Sequence, residues 1–90
     1  MIPIRQVAIT RETADGLERR IDIADTRYGV FASTHEALGV FDADFRELKD
    51  AIRANDIEAI RKECLDLAAP LIRLHDQLET CEALRRRSVK

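Results

Sequence analysis

Two amphipathic runs in the second half of the chain are separated by only three residues, Ala54-Asn55-Asp56. In the first run, hydrophobic residues recur every three or four positions, which is typical of one face of an α-helix: Ala37, Leu38, Phe41, Phe45, Leu48 and Ile52. The second run continues the same spacing: Ile57, Ile60, Cys64, Leu67, Ala68, Leu71, Leu74 and Leu78. Because the connection is so short, we expect the two helices to fold back on each other as an antiparallel hairpin.

Local signals indicate where these two helices begin. Ser33 and Glu36 match the S-x-x-E capping box, in which the hydroxyl and the carboxylate each satisfy a free backbone N–H at the start of a helix. Asn55 or Asp56 is expected to cap the following helix in the same way. Both helices therefore have a defined first turn.

The rest of the chain completes an all-α prediction. Thr10 is expected to begin an N-terminal helix that ends close to Gly29. We predict an extended N-terminal segment at residues 1–9, a single helical domain at 10–85 and a C-terminal tail at 86–90. A chain of 90 residues buries a small core, so we expect the helices to be completed as a bundle in a homo-oligomer, a dimer or higher.

The composition excludes several classes of protein. Hydrophobic residues make up 46% of the chain and charged residues 36%, with three Gly and two Pro, which fits neither disorder nor a fold of many strands. The net charge of −2 indicates no general affinity for nucleic acid or for an anionic membrane. No apolar run approaches the ~20 residues that cross a bilayer, and the N-terminus does not have the layout of a secretory signal. The sequence therefore predicts a cytoplasmic protein.

Four carboxylates stand at matching distances from the centre of the connecting segment. Glu47 and Glu63 each lie eight residues from it, and Asp44 and Asp66 each lie eleven residues from it, so an antiparallel pair can bring all four into one patch. Three of the four have no basic residue three or four positions away, and Asp66 has only Lys62. Because four neighbouring carboxylates repel one another, a cation other than a nearby side chain of the same helix must neutralise them. Oxygen ligands without Cys or His suit Mg²⁺ or Mn²⁺.

This pattern resembles a known family. Ala43–Leu48 and Glu63–Leu67 look like the E-x-x-E…E-x-x-D signature of the MazG-like, all-α nucleoside triphosphate pyrophosphohydrolases, with fifteen intervening residues. Tyr28–Glu36 looks like the approach segment of short, phage-type members. The resemblance, which covers about residues 30–80, implies metal-dependent hydrolysis of a nucleoside triphosphate to a nucleoside monophosphate and pyrophosphate. The implied ligands of Mg²⁺ or Mn²⁺ are Asp44, Glu47, Glu63 and Asp66.

The resemblance also suggests roles for individual residues. Glu47, which is central in the tetrad, is the expected catalytic residue that orients or deprotonates the attacking water. Residues expected to bind the substrate are Lys62 or Arg73 on the phosphates and Phe31 or Tyr28 on the base. Two positions depart from the family pattern. Asp44 stands where the family prefers Glu, and Pro70 is expected to kink the helix beside the tetrad.

Other interpretations use the same residues. The four carboxylates can instead form a charged seam whose role is to keep a helix pair soluble or to fix its register. Capping of the helix is by itself enough to account for Glu36. His35 and His75 are more typical of residues at the solvent edge than of ligands, and Cys64, on the apolar stripe, is expected in the core. The alternative to an enzyme is a small, non-catalytic helical module that binds another protein through its apolar face.

Overall fold

The computed structural model describes residues 9–88, which form four α-helices and no β-strand. The helices are α1 (Arg11–Tyr28), α2 (Thr34–Arg53), α3 (Ile57–Thr80) and α4 (Glu82–Ser88). The all-α class predicted from the sequence is confirmed for this part of the chain. Of the predicted extended segment 1–9, residues 1–8 lie outside the described residues.

Side-chain caps begin the three long helices. The capping residues are Thr10 for α1, Ser33 for α2 and Asp56 for α3. In the predicted capping box, the Ser33 hydroxyl accepts the N–H of Glu36, while the Glu36 carboxylate accepts the N–H of Ala32 at 3.3 Å rather than that of Ser33. Helix α1 ends at Tyr28 and is capped by Gly29, whose φ of 69° lies in the left-handed region that favours glycine.

Helices α2 and α3 form the most extensive contact between elements, and α1 packs on α3. Only Ala54–Asp56 joins α2 to α3. Alanines are buried on both helices, at Ala51 and Ala69 for example, and their small side chains allow close approach. Helix α4 packs on α3 and α2.

A small apolar core lies where the α1–α2 connection meets α4. Phe31, Ala37 and Leu84 are buried together there. Half-buried side chains that pack against them are Phe41, Leu74, Leu78 and Cys81. The buried Leu84 explains why α4 closes back over the connection.

The C-terminal region differs from the sequence prediction. Helix α3 ends at Thr80, Cys81 has an extended backbone, and α4 then continues to Ser88. Residues 86–88 are therefore helical and do not belong to a tail that begins at residue 86. The physical reason is the burial of Leu84 together with a hydrogen bond from the Thr34 N–H to the Ser88 hydroxyl at 3.2 Å. Residues 89–90 lie outside the described part.

Side chains of α3 and α4 satisfy the backbone of the α1–α2 connection. Gln77, which is buried, accepts the N–H of Phe31 at 2.9 Å. Arg73 Nη2 donates to the Gly29 carbonyl at 2.5 Å, and the Arg87 guanidinium donates to the Phe31 and Ala32 carbonyls. These bonds hold a loop whose polar groups would otherwise be partly buried without partners.

Replacing Gln77 with leucine is expected to lower the free energy of unfolding by ~1–3 kcal/mol, because the buried N–H of Phe31 loses its acceptor. Urea denaturation followed by circular dichroism measures the change. Glu79→Leu, at an exposed position of the same helix, serves as the control and should cost much less. Equal losses in the two variants would show that this hydrogen bond contributes nothing to stability.

Candidate functional site

A cavity of about 780 Å³ lies between α1, α2 and α3. Its acidic lining residues are Glu36, Asp44 and Asp66, and its basic ones are Arg20, Arg27 and Arg73. Tyr28 and Phe31 line it as aromatic residues, and most of the remaining wall is small or aliphatic. Carboxylates, guanidinium groups and aromatic rings therefore border one space.

The tetrad lies partly in this cavity. Asp44 and Asp66 line it, whereas Glu47 is exposed on α2 and the Glu63 side chain is 13% exposed on α3. Burial raises the pKa of Asp44, and the negative charges of Glu47 and Asp66 raise it further. The carboxylates of α2 and α3 are thus close enough to repel one another. No three His, Cys, Asp or Glu side chains within residues 9–88, however, converge tightly enough to hold a metal ion.

Asp66 is paired with two cations. Arg20 Nε donates to one carboxylate oxygen at 2.7 Å, and Lys62 Nζ donates to the other at 2.8 Å. Burial alone raises the pKa of Asp66, but the hydrogen bonds from Lys62 and Arg20 outweigh it and hold this pKa below its ordinary value. Lys62 is the one basic residue three or four positions from Asp66 in the sequence, and α1 supplies a second cation, Arg20.

The contribution of Arg20 could not be found from residue spacing. It lies 46 positions from Asp66 and reaches it only because α1 packs on α3. Gly16, one turn earlier, accepts a hydrogen bond from Arg20 Nη1 at 3.0 Å, and a Cβ at Gly16 would meet both Arg20 and Leu65 at 3.3 Å. The one signal available in the sequence was that Arg20, a charged residue, lies between Leu17 and Ala24 on the apolar side of α1.

Glu63 provides an unpaired buried oxygen. Its Oε1 atom is buried without a hydrogen-bond partner, and the nearest cation, Lys62 Nζ, stands at 3.7 Å, too far for a hydrogen bond. Burial raises the pKa of Glu63, and the neighbouring Asp66 carboxyl raises it further. A buried carboxylate oxygen without a partner is costly, and a cation or a proton relieves that cost. By its chemistry, this oxygen-only donor set suits Mg²⁺ or Mn²⁺.

The residues expected to bind substrate fall in different environments. Tyr28 is exposed and lines the cavity. Phe31 and Arg73 also line it, but both are buried, with the guanidinium 4.9 Å from the ring centroid. Lys62 is not among the lining residues and pairs with Asp66. Arg27, which the sequence did not single out, lines the cavity with its guanidinium 5.9 Å from the centroid of the Tyr28 ring.

Two further sequence expectations meet the structure near the site. Cys64 is exposed, not in the core, because the helices that pack on α3 leave its position uncovered. Helix α3 continues through Pro70, which is buried in the wall of the cavity. Since proline has no N–H, the carbonyl of Asp66 has no intrahelical donor at that position.

Comparisons of the chain with protein-family models, with curated proteins and with solved structures found no match. The resemblance to the MazG-like family therefore depends on the tetrad and its spacing. Among residues 9–88, no helix has the length and hydrophobicity that a membrane span requires.

Asp44→Asn is expected to make the metal-free chain more stable at pH 7, by up to ~1 kcal/mol for a carboxyl still partly in solvent. Because the pKa of Asp44 is raised on folding, the folded wild-type chain binds a proton at this carboxyl more tightly than the unfolded chain does. The wild type therefore loses stability as the pH rises above 3.8 and through the raised pKa, where Asp44 becomes charged. The gain should vanish below pH 3.8. Urea denaturation in EDTA at both pH values tests this, with the exposed Asp42→Asn as control. A destabilised Asp44→Asn at pH 7 would contradict the repulsion.

Proposed function

We propose that the chain is a metal-dependent hydrolase that converts a nucleoside triphosphate to a nucleoside monophosphate and pyrophosphate, acting as a cytoplasmic homo-oligomer. The observation that carries the proposal is the cavity between α1, α2 and α3, which is lined by tetrad carboxylates together with arginines and an exposed tyrosine. Arginine is well suited to bind phosphates, and carboxylates are the usual protein ligands of a Mg²⁺ ion that also contacts substrate phosphates.

The tetrad would hold the metal through Asp44, Glu47, Glu63 and Asp66. When bound, Mg²⁺ or Mn²⁺ polarises phosphoryl oxygens and neutralises the charge that develops on them. The unpaired Glu63 oxygen is available as a ligand, whereas Asp66 must first loosen its bonds to Arg20 and Lys62. A freed Arg20 remains beside the cavity, where a phosphate can accept its hydrogen bonds.

The remaining residues serve the substrate. Glu47 is exposed and has no cation within 4 Å among the described residues, so it can accept a proton from the attacking water. Water adds to the α-phosphorus and pyrophosphate leaves with the electrons of the broken anhydride bond. Arg27 and Tyr28, at the cavity wall, bind phosphate and base respectively. Arg73 acts indirectly, by holding the Gly29–Phe31 segment in place.

The direct test measures pyrophosphate and nucleoside monophosphate released from a panel of ribo- and deoxyribonucleoside triphosphates with Mg²⁺ or Mn²⁺. We expect turnover of at least one nucleotide, and a loss of at least ~100-fold in Glu63→Gln and in Asp66→Asn. The controls are Glu79→Gln and Asp76→Asn, which change exposed carboxylates of the same helix outside the tetrad. Absence of turnover in a folded chain, or equal losses in the controls, would refute the proposal.

A second candidate is a non-catalytic module that binds another protein. It is favoured by the large hydrophobic side chains that α2 and α3 expose, including Leu38, Phe45 and Ile57. The two candidates differ in their response to metal. The enzyme should bind Mn²⁺ and lose this binding in Glu63→Gln, whereas the module should be indifferent to both the ion and the substitution.

A further inference from the structure

The cavity between α1, α2 and α3 has two polar ends with an apolar stretch between them. One end, the tetrad end, contains Asp44 and Asp66 together with Arg20, which is bonded to Asp66. The other, the connection end, contains Tyr28 and Glu36 beside the α1–α2 connection. Small or aliphatic residues line the stretch between the two ends: Ile23, Ala24, Val40, Ala69 and Pro70.

The distance between the two ends matches the length of a nucleotide. Glu36 accepts the N–H of Ala32 in the connection, and Tyr28 is the last residue of α1 before it. Asp44 follows Glu36 by eight residues on α2, which is about 12 Å along a helix. The phosphate group and the far edge of the base in a nucleotide are separated by a comparable distance. A nucleotide whose phosphates lie at the tetrad end therefore has its base at the connection end.

Tyr28 is the aromatic ring at the connection end on which a base can stack. Its side chain is exposed, whereas Phe31 is buried under the guanidinium of Arg73, which lies 4.9 Å from the centroid of the Phe31 ring. Stacking on an aromatic ring tolerates every base, because every base has a π face. Tyr28 can therefore hold a base in place but cannot select one base over another.

Glu36 has the chemistry to select a base. Its carboxylate forms no ion pair with a lysine or arginine within residues 9–88, and its bond to the Ala32 N–H, at 3.3 Å, is longer than the usual ~2.9–3.0 Å. An ionised carboxylate only accepts hydrogen bonds, and its two oxygens can accept two parallel bonds from neighbouring donors. It therefore favours a base edge that has two adjacent N–H groups.

We infer that the cavity selects guanine nucleotides, with the Glu36 carboxylate accepting the N1–H and the N2 amino group of a base that stacks on Tyr28. Among the common bases, guanine has two neighbouring donors on its Watson–Crick edge. In adenine and cytosine the amino group lies beside a ring nitrogen that accepts hydrogen bonds, and in uracil and thymine the N–H lies between two carbonyl oxygens. A carboxylate opposite any of these edges meets a second acceptor, which repels it.

The inference rests on the proposed function, because phosphates held at the tetrad end set the position of the base. A bidentate contact to a base edge is expected to favour guanine over the other bases at least ~10-fold. Hypoxanthine keeps the N1–H of guanine but has no N2 amino group, so its nucleotide should have an intermediate affinity. If Glu36 served only to cap α2, its replacement would affect all nucleotides equally.

Calorimetric titration with GMP, IMP, AMP, CMP and UMP in the presence of Mg²⁺ tests the inference without requiring turnover. GMP should bind at least ~10-fold more tightly than AMP, CMP or UMP, with IMP between them. The readout for each variant is the ratio of the GMP and AMP affinities, because a change in net charge acts on both nucleotides alike.

Glu36→Gln should remove the preference for guanine. Glutamine keeps an oxygen that can accept the Ala32 N–H, so α2 stays capped, but its amide nitrogen is a donor and opposes one of the two guanine donors. The ratio of affinities should fall at least ~10-fold. Glu12→Gln, which changes an exposed carboxylate in the first turn of α1, should leave the ratio unchanged. Tyr28→Leu should weaken the binding of all five nucleotides together.

The binding measurements decide the inference, and turnover of the triphosphates decides the proposed function. GMP that binds no more tightly than AMP, CMP and UMP, or a preference that Glu36→Gln leaves intact, would overturn the inference. Turnover of triphosphates together with such a result would leave the hydrolysis standing. Selective binding of GMP without turnover of any triphosphate would refute the hydrolysis and leave the guanine site in place.

Discussion

Arg73→Leu should lower the free energy of unfolding by about 3 kcal/mol, a large share of the total for a chain of this size. The buried guanidinium donates to Asp25 at 2.7 Å and to the Gly29 carbonyl at 2.5 Å, and it stacks on the Phe31 ring. Leucine fills part of the volume but leaves the carbonyl and the carboxylate without this donor. Urea denaturation followed by circular dichroism measures the loss.

Two control variants separate this contact from a general effect of charge. Arg85→Leu removes an exposed arginine of α4 and should change stability by less than ~0.5 kcal/mol. Asp25→Asn should cost less than Arg73→Leu, because the Asp25 side chain is 52% exposed and water can replace part of its hydrogen bonding. If Arg73→Leu lowered the free energy of unfolding no more than Arg85→Leu does, the contacts of Arg73 with the α1–α2 connection would make no contribution to stability.

Arg20→Gln should increase the affinity of the metal-free chain for Mn²⁺ about tenfold, because the guanidinium and the divalent ion compete for Asp66. One positive charge a few ångströms from the ion costs ~1–4 kcal/mol near a protein surface. This prediction depends on the proposed metal site. Titration with Mn²⁺, followed by electron paramagnetic resonance in the absence of nucleotide, measures the free and bound ion directly.

Arg27→Gln is the matched control for Arg20→Gln. Arg27 lines the same cavity, but among the described residues it makes no ion pair with a carboxylate. It should therefore change Mn²⁺ affinity by less than Arg20→Gln does. A weaker affinity in Arg20→Gln would show that the arginine positions Asp66 for the ion instead of competing with it. If neither the wild type nor any variant binds Mn²⁺ detectably, the proposed metal site is refuted.

The tetrad illustrates what residue spacing in a sequence can and cannot predict. The rise per residue and the short connection were enough to expect Asp44 and Glu47 near Asp66, and the mutual effects of these carboxylates on the pKa of Asp44 fit that neighbourhood. Spacing could not show the orientation of each side chain. It also could not anticipate Arg20, since the position of α1 against α3 depends on contacts between helices far apart in the chain, and Leu65 lies so close to Gly16 that a Cβ there would meet it at 3.3 Å.

The roles of the buried polar residues were harder to predict from the sequence than the positions of the tetrad carboxylates. Arg73 and Gln77 are buried, and both bond the backbone of the α1–α2 connection, yet on the sequence they look like ordinary polar positions of an amphipathic helix. The sequence suggested Lys62 or Arg73 as the contact to the substrate phosphates. In the fold it is already bonded to Asp25 and to the Gly29 carbonyl, which explains its burial without any ligand.

The sequence by itself determined the all-α class and where α1 and α2 begin, and it narrowed the cap of α3 to Asn55 or Asp56. Capping bonds and apolar spacing act between residues a few positions apart, so they operate before the chain packs. Only the tertiary structure decided the break at Cys81, the partners of Asp66 and which apolar residues stay exposed. Each of these depends on contacts between helices far apart in the chain, where burial of one side chain, such as Leu84, outweighs local preference.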